Sequence, residues 1–207
     1  MPFRTPADVA AAIEPVRRHL SHGGLLAYPT ETVYGLGSRA LAEDVTRLAH
    51  LKGRLAGKPF LLLVSSRDMV RRYGLAFTPA AALLADRFWP GPLTLVLPGG
   101  EGRLPDQLRG PEGGIAIRWT AHADVARLIE ALDEPLTSTS ANRPGGPTAP
   151  GATAIEADFA AAVNDGTLLV LDGGTLGNVP PSTVVDCTGP SPRLVREGAI
   201  PRAALRL

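Results

Sequence analysis

The only two lysines of the chain, Lys52 and Lys58, lie six positions apart, with Arg54 between them. The other 19 of the 21 basic residues are arginines. Gly53 and Gly57 in the same segment allow the backbone to bend closely around a ligand. Compact ammonium groups in such a loop suit the oxygens of a polyphosphate. The alternative is that two surface lysines are clustered by chance.

Hydroxyl and carboxylate side chains follow the apolar run at residues 25–28, in the order Thr30, Glu31 and Thr32. Hydroxyl groups at the end of a buried strand can bind a small polar substrate. They can equally cap backbone amides in an ordinary turn. The spacing alone leaves both interpretations open.

A second polar segment, residues 138–142, has the sequence STSAN and follows another apolar stretch. The short donors and acceptors of Ser140 and Asn142 can hold a phosphate or the edge of a base, or can simply form an Asx turn. Two arginines present a similar choice. Arg118 and Arg196 each end a strand-like run, where strand alternation directs the side chain either into a cleft as an anion clamp or out into water.

Several classes of protein are excluded by the motifs and by the composition. The sequence contains no GxxxxGK[ST], GxGxxG, HExxH or GxSxG motif, and its four histidines lack metal-ligand spacing, so we predict no protein metal site. A formal net charge of +1 excludes a protein-wide field that would grip a long nucleic acid, although a local basic patch remains compatible with it. The single cysteine, Cys187, excludes an internal disulfide.

No apolar run is long enough to span a bilayer, and no signal-peptide core is evident, so we predict a cytoplasmic protein without a membrane partner. Helical periodicity alternates with short apolar runs. Predicted strands cover residues 25–28, 60–64, 93–97, 115–119, 136–139, 168–171, 183–187 and 194–196. Predicted helices lie near residues 6–20, 45–51, 79–88, 125–132 and 155–163 and after 201, and a further one begins at Ser65 or Ser66. This order predicts one α/β domain over residues 1–207, with a mixed sheet and a cleft where polar loops end several strands.

Seven segments occur together in a characteristic order: YPTETVYGLG (28–37), KGR with KP (52–59), FWPGPLTL (88–95), IR (117–118), STSAN (138–142), STVVD (182–186) and REGAI (196–200). In this combination the chain resembles the YrdC/Sua5 family of L-threonylcarbamoyladenylate synthases over about residues 10–200. The resemblance implies a twisted α/β sheet with a concave basic cleft. It also implies a nucleotidyltransferase that forms threonylcarbamoyl-AMP and pyrophosphate from L-threonine, bicarbonate and ATP.

The resemblance assigns roles to residues at matching positions. It implies catalytic roles for Lys52 and Arg54, ATP contacts for Lys52, Arg54, Lys58, Ser140, Asn142 and Arg196, and threonine contacts for Thr30, Arg118 and Ser182. It further implies that Mg²⁺ enters with ATP, that partner transferases pass the threonylcarbamoyl group to tRNA, and that tRNA itself is a possible ligand.

Two positions depart from the family pattern. Pro144 replaces a serine found in many relatives, and Leu63 replaces a histidine found in longer ones. Two other functions remain open at this point. One is a non-catalytic RNA-binding module, and the other is a family member with a different acyl or amino substrate.

Overall fold

The computed structural model describes residues 1–53, 59–177 and 179–207. Within these residues the helices are α1 (Pro6–Ser21), α2 (Ala42–Lys52), α3 (Arg67–Arg72), α4 (Pro79–Phe88), α5 (Ala123–Leu132), α6 (Ala152–Asp158), α7 (Ala160–Asn164) and α8 (Arg202–Leu205). The strands are β1 (Leu25–Tyr28), β2 (Gly35–Gly37), β3 (Leu61–Val64), β4 (Leu93–Leu97), β5 (Ile115–Trp119), β6 (Leu136–Ser140), β7 (Leu168–Val170), β8 (Thr183–Asp186) and β9 (Arg193–Arg196).

In the described residues, the strands form one sheet in the order β7-β1-β2-β6-β3-β5-β4-β8-β9. The pairs β1–β7, β3–β5 and β4–β8 are parallel, and the other pairs are antiparallel. The sheet is therefore mixed and flanked by helices, as predicted. Strands distant in the sequence become neighbours, which brings the ends of β5, β8 and β9 to one region.

Local signals in the sequence define most of the helix ends. The Thr5 side chain accepts a hydrogen bond from the Asp8 amide and Asp8 returns one, which forms the capping box that starts α1. Thr78 caps α4 with a single bond, in which its side chain accepts from the Ala81 amide. Gly53 ends α2 with a positive φ of 57°, a conformation that glycine adopts without strain.

Two elements differ from the prediction. The short strand β2 went unrecognised because two of its three residues are glycines, which carry no strand propensity. The single helix predicted over residues 155–163 is divided at Phe159, whose φ of −119° interrupts the helical backbone. The bounds of β1, β4 and β5 agree with the prediction.

One contiguous core lies between the sheet and its helices, and it includes strand residues such as Leu26, Leu62, Leu95 and Ile117. Among residues 1–53, 59–177 and 179–207, no helix combines the length and the apolarity needed to cross a membrane.

Candidate active site

A cleft of about 650 Å³ lies across one face of the sheet, with lining residues from seven of the strands and their adjoining loops. Five of the residues singled out in the sequence line this cleft: Thr30, Arg118, Ser140, Ser182 and Arg196. Their convergence follows from the strand order, because β5, β4, β8 and β9 are consecutive in the sheet. The described lining carries acidic as well as basic side chains, since Glu112 and Asp186 lie in it as well.

The guanidinium of Arg118 is buried in the cleft wall at the end of β5, with the residue only 4% exposed. Its Nη1 donates to Thr32 Oγ1 (3.3 Å), and its Nη2 lies 3.6 Å from Glu31 Oε2. Among the described residues, Arg118 Nε has no hydrogen-bond partner. Burial lowers the pKa of Arg118, and the Glu31 carboxylate opposes this effect. Arg118 is therefore a buried cation with unused donors that faces a cleft.

Ser182 and Arg196 are joined at the next part of the cleft. Arg196 Nη2 donates to the Ser182 carbonyl at 2.7 Å and lies 3.5 Å from Ser182 Oγ. The Ser182 hydroxyl is also 2.8 Å from Thr94 Oγ1, in a buried pair. Burial lowers the pKa of Arg196, and the neighbouring charge of Arg118 lowers it further. Two guanidinium groups thus share one cleft, an arrangement that favours anionic ligands.

Thr30 has the turn-forming role that the sequence left open, and it also lies on the cleft wall. Its Oγ1 accepts hydrogen bonds from the backbone amides of Thr32 and Val33, each at 3.2 Å, and donates to the Val33 carbonyl at 2.6 Å. It therefore organises the turn after β1. It also lines the cleft, on the same side as Arg118.

Lys52 and Asn142 lie next to Ser140 and not on the cleft wall. The Lys52 ammonium donates to the Ser140 carbonyl at 2.8 Å and to Asn142 Oδ1 at 2.6 Å. The Ser140 hydroxyl donates to the same Asn142 oxygen at 2.6 Å. The structure thus brings these three predicted residues into one hydrogen-bonded cluster, of which Ser140 faces the cleft.

Arg54 and Lys58, both predicted ATP contacts, lie outside the described residues. The described chain immediately flanking them ends at Gly53 and resumes at Pro59, and Pro59 lines the cleft. Of the two positions that depart from the family pattern, Leu63 pairs in register with Arg118 on the neighbouring strand. The position at which longer relatives carry a histidine therefore lies beside Arg118 in the sheet.

Some site residues received no role from the sequence. Glu31 Oε2 lies 3.6 Å from Arg118 Nη2 and accepts a hydrogen bond from Thr120 Oγ1 at 2.6 Å. Thr94 lies in the FWPGPLTL segment, but only its contact with Ser182 reveals its place in the cleft. Arg193 pairs with Asp186 (3.0 Å) and Glu112 (2.8 Å). The pairing of distant strands creates these contacts, so the usable signal in the sequence was that Glu31, Thr94 and Asp186 lie within the quoted motifs.

Comparison with known proteins identifies the family. The Sua5/YciO/YrdC family model, described as "Telomere recombination", matches residues 18–198, and the chain belongs to this family. Threonylcarbamoyl-AMP synthase of Pyrococcus abyssi (strain GE5 / Orsay) is 38% identical over 183 residues, covering 88% of this chain and 52% of that protein. Threonylcarbamoyl-AMP synthase of Thiobacillus denitrificans is 38% identical over 169 residues, covering 81% of this chain and 87% of that protein.

Solved structures agree with this family assignment. P. abyssi Sua5 complexed with L-threonine has a TM-score of 0.89 at 35% identity, covering all of this chain and 59% of that one. E. coli YciO has a TM-score of 0.83 at 26% identity, covering all of this chain and 97% of that one. The chain therefore spans about half the length of the archaeal relative and most of the length of the bacterial ones. Both the predicted family and the predicted fold class are confirmed.

Proposed function

We propose that this protein is an L-threonylcarbamoyladenylate synthase, a nucleotidyltransferase that uses L-threonine, bicarbonate and ATP. The proposal depends most on one observation, the meeting of Arg118 and Arg196 in a single cleft beside Ser182. Arg118 is buried and Arg196 lies on the more exposed part of the same cleft, and a cleft with two guanidinium groups favours anionic ligands. The carboxylate of threonine and the polyphosphate of ATP are anions of this kind, and both belong to the substrates of the proposed reaction.

The threonine end of the site is assigned to Arg118, Thr30 and Ser182. The guanidinium of Arg118 lines the cleft and suits the α-carboxylate, since guanidinium and carboxylate form paired, charge-assisted hydrogen bonds. Each such bond contributes about 1.5–3 kcal/mol. The hydroxyl pair of Ser182 and Thr94 is suited to the polar side chain of threonine. The support for this assignment is the cleft geometry together with the relative whose structure is described as a complex with L-threonine.

The ATP end is assigned to Arg196, Ser140 and Asn142, with Lys52 beside them and with Arg54 and Lys58 on the adjoining segment. Val96, Ala116 and Val184 also line the cleft and form an aliphatic surface suited to a planar base. We assign charge neutralisation during the reaction to Arg54, and we assign Lys52 to the same end of the site as a residue that the reaction requires.

In the proposed reaction, the threonine amine adds to carbon dioxide derived from bicarbonate, forming an N–C bond and losing a proton. A carbamate oxygen then bonds to the α-phosphorus of ATP while the bond from that phosphorus to the β-phosphate oxygen breaks, and pyrophosphate leaves with the electron pair. No side-chain nucleophile takes part. Positioning two anions and neutralising their charge accounts for the catalysis.

Magnesium is proposed to enter as part of the ATP substrate. Within the described parts of the chain, no group of three or more His, Cys, Asp or Glu side chains is arranged to hold a metal ion. We therefore propose that the phosphates of ATP and water molecules supply most of the oxygen ligands of the ion. Transferases that deliver the threonylcarbamoyl group to tRNA are the proposed downstream partners. The alternative of a non-catalytic RNA-binding module is not favoured by any described contact.

The test is to incubate the purified protein with ATP, Mg²⁺, bicarbonate and a panel of amino acids, and to measure the adenylate and pyrophosphate. We expect both products only when threonine, bicarbonate and ATP are all present. Arg118→Ala is expected to raise the KM for threonine much more than that for ATP, and Arg196→Ala to do the reverse. Arg71→Ala, a change on an exposed residue of α3, is the matched control. Turnover without threonine or bicarbonate would contradict the proposal.

A further inference from the structure

The Lys52 ammonium is enclosed by oxygen atoms of the loop that follows β6. Lys52 is the last residue of α2 and is only 7% exposed. Its Nζ donates to the Ser140 carbonyl (2.8 Å), to Asn142 Oδ1 (2.6 Å) and to the Asn142 carbonyl. An ammonium group has three N–H donors, and these three acceptors match them. The ammonium is thus bonded to the 140–146 loop at three points.

The position of Lys52 determines how the Asn142 amide is oriented. A lysine ammonium only donates, so the atom that faces it at 2.6 Å has to be the amide oxygen. The amide nitrogen then points the other way, where it donates to the carbonyls of Arg143 (3.0 Å) and Gly146 (2.7 Å). Both N–H groups of this amide are therefore engaged within the 140–146 loop, and its oxygen accepts hydrogen bonds from Ser140 and from Lys52 of α2.

The orientation of Asn142 in turn determines what Ser140 offers to the cleft. Because Asn142 Oδ1 can only accept, the Ser140 hydroxyl donates its single proton to it, at 2.6 Å. The lone pairs of Ser140 Oγ remain for a ligand, so Ser140 presents an acceptor on the cleft wall. A phosphate oxygen at neutral pH is itself an acceptor and does not complement it. A ribose hydroxyl or an adenine amino group is a donor and does.

The loop is also held at two further points. Gly53 at the end of α2 packs so closely against the Pro144 ring that an added Cβ would lie 3.3 Å from Pro144 Cγ. On the other side, the Arg143 guanidinium donates to the Asp158 carbonyl and lies 5.7 Å from the centre of the Phe159 ring. Lys52 therefore stabilises a loop that is packed on both sides, and it sets the direction of the hydrogen bonds within it.

We infer that Lys52 is a positioning residue, which acts on the nucleotide through Asn142 and Ser140, and that Ser140 accepts a hydrogen bond from the nucleoside part of ATP. This inference deepens the proposed function and rests on it. It differs from a direct contact between Lys52 and the phosphates, because a positioning role makes the effect of Lys52 independent of the number of phosphates on the ligand.

The test compares the binding of ATP and of adenosine to the full-length protein and its variants. Lys52→Met keeps the length of the side chain and removes the charge. We expect it to weaken adenosine and Mg·ATP by the same factor, about tenfold or more. Lys58→Met is the matched control, because Lys58 is the other lysine and is assigned to the phosphates. It is expected to weaken ATP and leave adenosine binding unchanged. A loss of ATP affinity on Lys52→Met that exceeds the loss for adenosine by tenfold would overturn the inference.

A double-mutant cycle with Asn142→Ala gives a second readout. If Lys52 acts through Asn142, the double variant binds adenosine nearly as well as the weaker single variant. If the losses of adenosine affinity in the two single variants added up in the double variant, Lys52 would not act through Asn142. Where Lys52→Met fails to fold, Asn142→Ala alone decides. Our inference predicts equal losses of affinity for adenosine and for ATP in this variant, whereas a loss for ATP that exceeds the loss for adenosine by tenfold would contradict it.

Amide hydrogen exchange in the ligand-free protein separates this inference from the proposed function. We expect Lys52→Met to accelerate exchange at residues 141–146, with core strands such as β5 unaffected. Unchanged exchange in the loop would overturn the positioning role even if the enzyme reaction were verified. If wild-type protein bound neither nucleotide while the loop responded as expected, the ATP assignment would fail and the structural role of Lys52 would stand.

Discussion

Arg118 Nη2 and Glu31 Oε2 lie 3.6 Å apart in the wall of the cleft, where Glu31 is the acidic partner of a guanidinium that is almost completely buried. The other carboxylate oxygen of Glu31 is buried and, among the described residues, has no hydrogen-bond partner. The two charges are thus close, but among the described residues Arg118 Nε and Glu31 Oε1 each lack a hydrogen-bond partner. The ion pair keeps a charge available to a ligand and reduces the cost of burying that charge.

Glu31→Gln is expected to lower the free energy of unfolding by about 1–3 kcal/mol, because it leaves the Arg118 cation without a nearby opposite charge. Urea denaturation at neutral pH measures this loss. In an Arg118→Met background the same change is expected to cost much less, since the cation is then absent. Equal losses in the two backgrounds would show that Glu31 stabilises the fold by some other contact.

Thr94→Val is expected to raise the KM for threonine by about tenfold and to leave the KM for ATP nearly unchanged. The substitution conserves shape but removes the hydroxyl that lies 2.8 Å from Ser182 Oγ. Steady-state kinetics with each substrate varied in turn measure the two constants. Thr94→Ser retains a hydroxyl and serves as the control. Similar increases for both substrates would argue against a local role in threonine binding.

Cys187 is expected to resist thiol reagents in the native protein. Burial raises the pKa of its thiol to about 12, and the adjacent Asp186 carboxylate adds to the effect. The reactive thiolate is therefore scarce at pH 8. A chromogenic disulfide reagent should remain unreacted with native protein and should react with one equivalent in denaturant, since the chain has one cysteine. Rapid stoichiometric reaction of the native protein would contradict the burial of this side chain.

The stability of the protein is expected to fall as the pH is lowered from about 7 to 5. Burial lowers the pKa of His122 below its usual 6.5, against the opposing charges of Asp124 and Glu31. The unfolded state therefore binds the proton more readily. The stabilisation is fully present above pH 6.5 and is lost as the pH falls through the folded-state pKa. In His122→Asn, the free energy of unfolding measured by urea titration should change less between about pH 7 and pH 5 than in the wild type. Identical slopes for the variant and the wild type would exclude His122 as the cause.

The sequence by itself determined the family, the mixed α/β class and most element bounds, because these follow from local features. Thr5, Thr78 and Gly53 mark helix ends through bonds to residues within a few positions, and apolar periodicity defines the strands. It also identified the residues of the cleft, since Thr30, Arg118, Ser140, Ser182 and Arg196 occur in recognisable motifs.

Tertiary structure alone decided which of these side chains meet, and in what direction their hydrogen bonds run. Thr94 and Ser182 are 88 positions apart, as are Lys52 and Ser140, and both contacts exist only because the chain is folded. The sequence predicted Lys52 as a phosphate ligand from its charge. The folded protein adds hydrogen bonds from its ammonium to the Ser140 carbonyl and to Asn142 Oδ1, which the sequence did not show. A residue type specifies which bonds are possible, but burial and neighbouring strands determine which ones form.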